Sequence, residues 1–246
     1  MSTDVGLVLR AAAAAQAIVE DPTAPVLSDD DRRHLLGVRR LRDGEQVVLT
    51  DGHGRWLMGM VAGDAVRPTG DLVAEDRPAR AAAVAFAPVK GDRSDWAVAK
   101  LTELGAGRII ALSTDRAAVR WKADAGARAL ERWRRIAREA SCQSRRVWLP
   151  SIEGPVDLAG LLAEGPGVAI GAIGGPAPTG AEEVIAIGPE GGWSEAELAL
   201  GAPAVGLANQ VLRTETAAVA AGVLLGALGA GTVRPVHDDL EEGSRR

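Results

Sequence analysis

From about residue 82 onward, short apolar runs alternate with longer segments whose apolar residues recur every three or four positions. The runs at 82–87, 108–112, 147–149, 168–170, 183–187 and 204–207 read as strands. Segments 94–104, 124–141, 158–163, 195–200 and an apolar stretch at 217–228 read as helices. Strands alternating with helices predict an α/β unit on a parallel sheet, since buried parallel strands are continuously apolar. The first part of the chain is patterned differently. Ser28 followed by three aspartates starts a short helix to about Leu36. Segments 46–50 and 56–61 flank Asp51-Gly52-His53-Gly54, a turn that closes a hairpin, and 66–73 adds a strand. Such short strands suit a small β-barrel. The charged, proline-bearing segment 75–80 reads as a linker, dividing the chain into 1–74 and 75–246.

Candidate chemistry concentrates near the C-terminus. An apolar run ends in Ile187-Gly188-Pro189-Glu190-Gly191-Gly192-Trp193-Ser194, and Ser194 with Glu197 forms a capping box. This is a strand, a loop with bare backbone and a helix start, an arrangement that lets a ligand lie against main-chain N–H and C=O groups. A second junction, Val211-Leu212-Arg213-Thr214-Glu215-Thr216, leads into the last helix with Thr214 as a plausible N-cap. In open α/β sheets ligands bind beyond the carboxyl ends of strands. The loops after Ile170, Ile187 and Leu207 therefore form the expected site, if those strands are neighbours.

The order of GPEGG and VLRTETA resembles the RsmE-type 16S rRNA uridine-N3 methyltransferases of the SPOUT superfamily. Lys90-Gly91-Asp92-Arg93-Ser94-Asp95-Trp96 and Glu139-Ala140-Ser141-Cys142-Gln143-Ser144-Arg145-Arg146 extend the match upstream, and the stretch from His34 to Gly52 resembles the family's small RNA-binding domain. The resemblance implies a PUA-like β-barrel followed by a SPOUT domain whose C-terminal part is tied into a trefoil knot. It implies S-adenosylmethionine as cofactor, a homodimer, and 16S rRNA of the small ribosomal subunit as substrate, methylated at N3 of uridine 1498. Cofactor contacts are then expected from Ile170 and Gly171, from Ile187, Gly188, Pro189, Glu190, Gly191 and Gly192, and from Leu207, Ala208, Asn209, Val211, Leu212 and Thr216. Where the family has Leu-Gly-Pro, this chain has Leu207-Ala208-Asn209-Gln210.

Methylating uracil N3 requires its proton to leave, and a fixed cation favours the resulting anion. Arg213 is the candidate for that role; the alternative is that it pairs with Glu215 or another carboxylate and braces the loop. Glu190 and Glu215 could accept a proton, complement a sulfonium or serve a helix start. Trp193 is the tryptophan most suited to stacking on a flipped base.

The net charge of −5 argues against bulk attraction to nucleic acid, yet arginine is clustered. Arg32, Arg33, Arg39 and Arg40 form one group, and Arg134, Arg138, Arg145 and Arg146 another; with Lys90 and Arg93 these are the expected RNA contacts, because guanidinium forks suit phosphates. Acidic residues gather at 238–242. One cysteine precludes an internal disulfide, no signal pattern opens the chain, and no apolar run reaches membrane-spanning length, so a cytoplasmic protein is expected. No cluster with metal-ligand spacing appears, and no metal is expected. Two other classes remain: a non-catalytic ribosome-binding factor on the same scaffold, and a nucleotide-dependent oxidoreductase, disfavoured because no GxGxxG follows a strand.

Overall fold

The computed structural model describes residues 3–121 and 123–235, so the acidic stretch at 238–242 lies outside the described residues. After helix α1 (Thr3–Ala12), the first sheet comprises β1 (Ala15–Ile18), β2 (Gln46–Thr50), β3 (Arg55–Ala62), β4 (Ala65–Pro68) and β5 (Val73–Ala74). The order is β1-β2-β3-β4 with β5 also on β3; β1 runs parallel to β2 and the other pairs are antiparallel. Between β1 and β2, α2 (Asp29–Arg32) continues into a π-helical turn (Arg33–Val38), and the Ser28 side chain accepts from Asp31 N–H at 3.1 Å as N-cap. Leu27, Leu35, Val47, Leu49, Leu57, Val61 and Val66 form the core beneath this sheet. The expected strand at 66–73 is interrupted: Thr69 and Gly70 both donate N–H to the Met58 carbonyl, so the chain turns there.

The second sheet holds β6 (Ala83–Phe86), β7 (Arg108–Ser113), β8 (Ser151–Asp157), β9 (Val168–Gly171), β10 (Val184–Ile187) and β11 (Ala204–Val205). Its order is β11-β9-β10-β6-β7-β8 and every pair is parallel. Helices α3 (Arg93–Glu103), α4 (Ala123–Gln143) and α7 (Thr214–Gly229) cover one face, where Phe86 stacks on Trp133 with centroids 5.0 Å apart. The other face packs on α5 (Leu158–Glu164); the one-turn α6 (Glu195–Leu198) follows the glycine loop. Alternate residues of β6 point to opposite faces, Val84 and Phe86 into one core and Ala83 and Ala85 into the other. No helix among the described residues is long and apolar enough to cross a membrane.

The run at 147–149 is not a strand of this sheet, as its apolarity suggested. Val147 instead packs with Ala13, Val48 and Trp56, Trp148 bridges to His53, and Leu149 N–H donates to the Gly52 carbonyl at 2.9 Å. These residues are apolar because they seat the first sheet against the second. The segment read as a linker is fastened as well: Glu75 N–H bonds the Gly54 carbonyl, its own carbonyl accepts from Trp148 Nε1 at 3.0 Å, and its carboxylate accepts from Trp56 Nε1 at 2.8 Å.

Candidate functional site

The strand order makes β9 the common neighbour of β10 and β11, so the loops that leave their carboxyl ends meet. Registers Ala186↔Ile170 and Val205↔Gly171 keep those ends level. Loop 172–176 passes loop 206–213 at backbone contact distance: Gly206 N–H donates to the Pro176 carbonyl at 2.7 Å and Ala172 N–H to the Val205 carbonyl at 2.9 Å. A Cβ on Gly206 would lie 2.2 Å from the Gly175 carbonyl oxygen, which is why no side chain fits there. Between the loops lies a cavity of about 320 Å³, with Ile187, Leu207, Leu212 and Ala217 among its apolar walls. Among the described residues, the backbone N–H groups of 207–213 donate to no protein acceptor. An apolar slot with unused backbone donors suits a flat, partly apolar ligand carrying a few polar groups, and S-adenosylmethionine is of that kind.

The two loop-to-helix junctions are tied directly together. Thr214 Oγ1 donates to the Gly188 carbonyl at 3.1 Å; Arg213, not Thr214, occupies the N-cap position of α7, without a side-chain capping bond. Trp193 Nε1 donates to the Gly171 carbonyl at 3.3 Å and its ring lies against Gly188. The indole therefore braces the cavity wall. Arg93, the first residue of α3, donates to Glu190 at 3.0 Å and to Glu215 at 3.3 Å, so one guanidinium joins α3, the glycine loop and α7. Glu190 chiefly, then Glu215, raise the Arg93 pKa by holding its charged form. The buried Glu215 accepts from Arg93 Nη1 through both carboxylate oxygens, at 3.3 and 3.4 Å. Arg213 is exposed between Leu212 and Thr214, both of which line the cavity, and pairs with neither glutamate among the described residues.

Of the expected cofactor contacts, Gly171, Ile187, Gly188, Pro189, Glu190, Gly192, Leu207, Ala208, Val211 and Leu212 line the cavity. Four do not. Ile170 points into the core below, as alternation along β9 requires. The Gly191 carbonyl faces away and accepts from Arg116 at 3.3 Å. Asn209 is exposed, and Thr216 sits on the solvent side of α7 because two helical residues advance about 200°. Ala172, Ile173, Trp193, Gln210, Thr214 and Ala217 also line it without having been expected to; helical spacing from Thr214 would have found Ala217. No group of three or more potential metal ligands occurs among the described residues.

The arginine expectations divide. Arg138 donates to the Ile18 carbonyl at 2.7 Å and to Asp31 at 2.9 Å; Arg145 donates to the Ala13 and Ala14 carbonyls at 2.9 and 3.2 Å. Arg146 donates to the Thr102 carbonyl at 2.6 Å, and burial pushes its pKa down to about 10. These three and Arg93 thus have protein partners, Arg93 with about a third of its side chain still exposed. Arg138 and Arg145 joined the expected group because their bonds to the segment 13–18 are invisible in sequence. Arg32 and Arg33 pair weakly with Asp64 and Asp30, and Arg134 with Glu131, all at the surface. Arg39, Arg40 and Lys90 are exposed and form no ion pair among the described residues.

Comparison with known proteins follows the same lines. An RNA methyltransferase domain matches residues 76–226 and an RNA methyltransferase PUA domain matches residues 27–64. The chain is 36% identical over 236 residues to ribosomal RNA small subunit methyltransferase E of Mycobacterium tuberculosis, covering 85% of this chain and 87% of that protein. The Bacillus subtilis protein of that name is 29% identical, over 82% of this chain and 89% of its own. Among solved structures, ribosomal RNA small subunit methyltransferase E from Neisseria gonorrhoeae bound to S-adenosyl methionine superposes with a TM-score of 0.70 at 28% identity, covering 87% of this chain and 97% of that one. A putative methyltransferase from Legionella pneumophila in complex with the same cofactor gives 0.71 at 26% identity, covering 87% and 96%. With an RNA methyltransferase domain spanning more than half its length and a relative of this identity over most of both chains, the protein belongs to the family of ribosomal RNA small subunit methyltransferase E.

Proposed function

We propose that this chain transfers a methyl group from S-adenosylmethionine to N3 of one uridine, position 1498, in 16S rRNA of the small ribosomal subunit. The observation that carries this reading is the cavity at the ends of β9, β10 and β11, with unused backbone donors along 207–213 and Arg213 exposed at its edge. Gly171, Gly188, Gly192 and the 207–212 backbone would hold the cofactor. When bound, S-adenosylmethionine supplies an activated methyl group on its sulfonium. The apolar walls exclude water from that group, and Arg213 stabilises the uracil anion as the N3 proton passes to solvent. Because the Watson–Crick edge is hidden in structured RNA, the target base enters unpaired or flipped. Residues 1–74 form the RNA-gripping PUA-like domain and 75–246 the catalytic one, with Arg32, Arg33, Arg39, Arg40, Lys90 and Arg134 toward the phosphates. Insertion of β10 between β9 and β6, with loop 206–213 crossing loop 172–176, supports a trefoil knot, and the family resemblance supports a homodimer in the cytoplasm. Calorimetry with S-adenosylmethionine on wild type and Gly192→Val tests the cofactor site, because φ +70° at Gly192 is strained for valine. Binding by wild type with loss in the folded variant is expected; equal affinity in both overturns the loop assignment.

A further inference from the structure

A second and larger cavity, about 560 Å³, opens at the carboxyl ends of β7 and β8, beside the cofactor loops but separate from them. Its walls include Leu112, Pro155 and Leu200, with Thr114, Arg120 and Trp121 as polar or aromatic members. Thr114 is 7% exposed, and its hydroxyl has no hydrogen-bond partner among the described residues. At the cavity wall, that hydroxyl can hydrogen-bond whatever occupies the space. Trp121 is fixed by an edge contact to Trp133 at 5.3 Å, which holds its ring at the cavity without a search through rotamers. Arg120 is anchored by one nitrogen, on the Asp115 carbonyl at 2.6 Å.

This cavity is coupled to the cofactor loop. Ser194, which caps α6, donates to Asp115 Oδ2 at 2.5 Å; Asp115 N–H donates to Glu197 Oε1 at 3.1 Å; and Arg116 holds the Gly191 carbonyl. Asp115, Asp157 and Glu197 surround the space with carboxylates, which disfavours a phosphate and favours a neutral group that donates hydrogen bonds. Both Glu197 oxygens, Asp115 Oδ2 and Asp157 Oδ1 already accept from the protein, which leaves Asp115 Oδ1 and Asp157 Oδ2 without a donor among the described residues. An aromatic plane, a guanidinium, apolar walls and these two acceptors are the features that receive a base of single-stranded RNA.

We propose that this cavity is a second base-binding subsite, which takes a nucleobase bearing an exocyclic amino group from the RNA strand that presents the target uridine. The inference rests on the RNA-methylating reading of the cofactor site and adds to it how the strand is held. Two anchored bases would fix the strand's register, so the subsite contributes to the choice of uridine.

The test uses the full chain, short fluorescent single-stranded RNAs rich in adenine or in uracil, and two variants. Ala159→Phe fills the cavity from α5, and Thr114→Val removes the hydroxyl at nearly constant volume. Ala159→Phe should weaken adenine-rich RNA about tenfold, the scale of one lost stacked base, and Thr114→Val about threefold. Because no phosphate contact is lost, the slope of affinity against salt should stay unchanged in both. S-adenosylmethionine affinity should also be retained, and uracil-rich RNA should be affected less. Unchanged RNA affinity in folded Ala159→Phe, a flattened salt slope, or no RNA binding by wild type overturns the subsite. If the variants lose RNA affinity as stated while wild type methylates no subunit, the subsite stands and the proposed reaction falls.

Discussion

Replacing Gly206 with alanine tests whether the crossing of two loops builds the cofactor site. The new Cβ would sit 2.2 Å from the Gly175 carbonyl oxygen, and the contact is backbone against backbone, so no rotamer change relieves it. The loops must separate by about 1 Å to reach an ordinary contact distance. That movement strains or breaks the bonds from Gly206 to Pro176 and from Ala172 to Val205. Two such bonds are worth about 1 kcal/mol each, and overpacking adds about 1–3 kcal/mol, so a loss of about 3–5 kcal/mol is expected. Gly174→Ala is the control: its φ of +74° is unfavourable for alanine, at about 1–2 kcal/mol, but its Cβ meets nothing. Urea denaturation gives the stabilities, and calorimetry with S-adenosylmethionine on the folded variants gives the affinities. Gly206→Ala should cost more than Gly174→Ala and weaken cofactor binding at least tenfold. Equal stability and full affinity would refute the idea that this crossing shapes the cavity.

Arg213→Ala should lower single-turnover methylation of small subunits by about 10²–10³ while cofactor affinity changes little; a rate within about threefold of wild type makes Arg213 structural. Arg39→Ala should reduce the log–log salt slope of RNA binding by about 0.7–0.9, whereas Arg138→Ala, whose side chain bonds the first sheet, should lower thermal stability and leave the slope intact. Glu153 is held below the usual carboxylate range, first by Arg108 and also by Ser151, so its contribution to stability is present above pH 4.5 and lost as pH falls through the lower folded value. Stability of Glu153→Gln, followed by thermal melts from neutral pH downward, should therefore fall less on acidification than that of wild type; parallel curves would show that the Arg108 pair is not thermodynamically linked.

The sequence made the helices and most strands of the second sheet legible, because a parallel sheet with covered faces demands continuous apolar strands between amphipathic helices. The glycine loop and the start of α7 were legible for a local reason: capping and backbone access are written in neighbouring residues. Contacts between distant segments were not. Val147 looks like a strand residue until it is seen under Trp56, and Arg145 looks like a phosphate ligand until its fork is found on the Ala13 and Ala14 carbonyls. Strand β1 was missed because 15–18 carries a glutamine, whose amide donates to the carbonyls of Ser141 and Arg146 across the interface. Arg93 was visible as part of a motif, but its bridge from Glu190 to Glu215 depends on how α3, the glycine loop and α7 pack.

The central claim is the reaction and its position. Small subunits lacking the modification, incubated with this protein and isotopically labelled S-adenosylmethionine, can be digested to nucleosides and the rRNA mapped by mass spectrometry. The account predicts label in 3-methyluridine at a single rRNA position, absent without the protein and strongly reduced with Arg213→Ala. Label in any other nucleoside, or no transfer by protein that binds the cofactor, would contradict it.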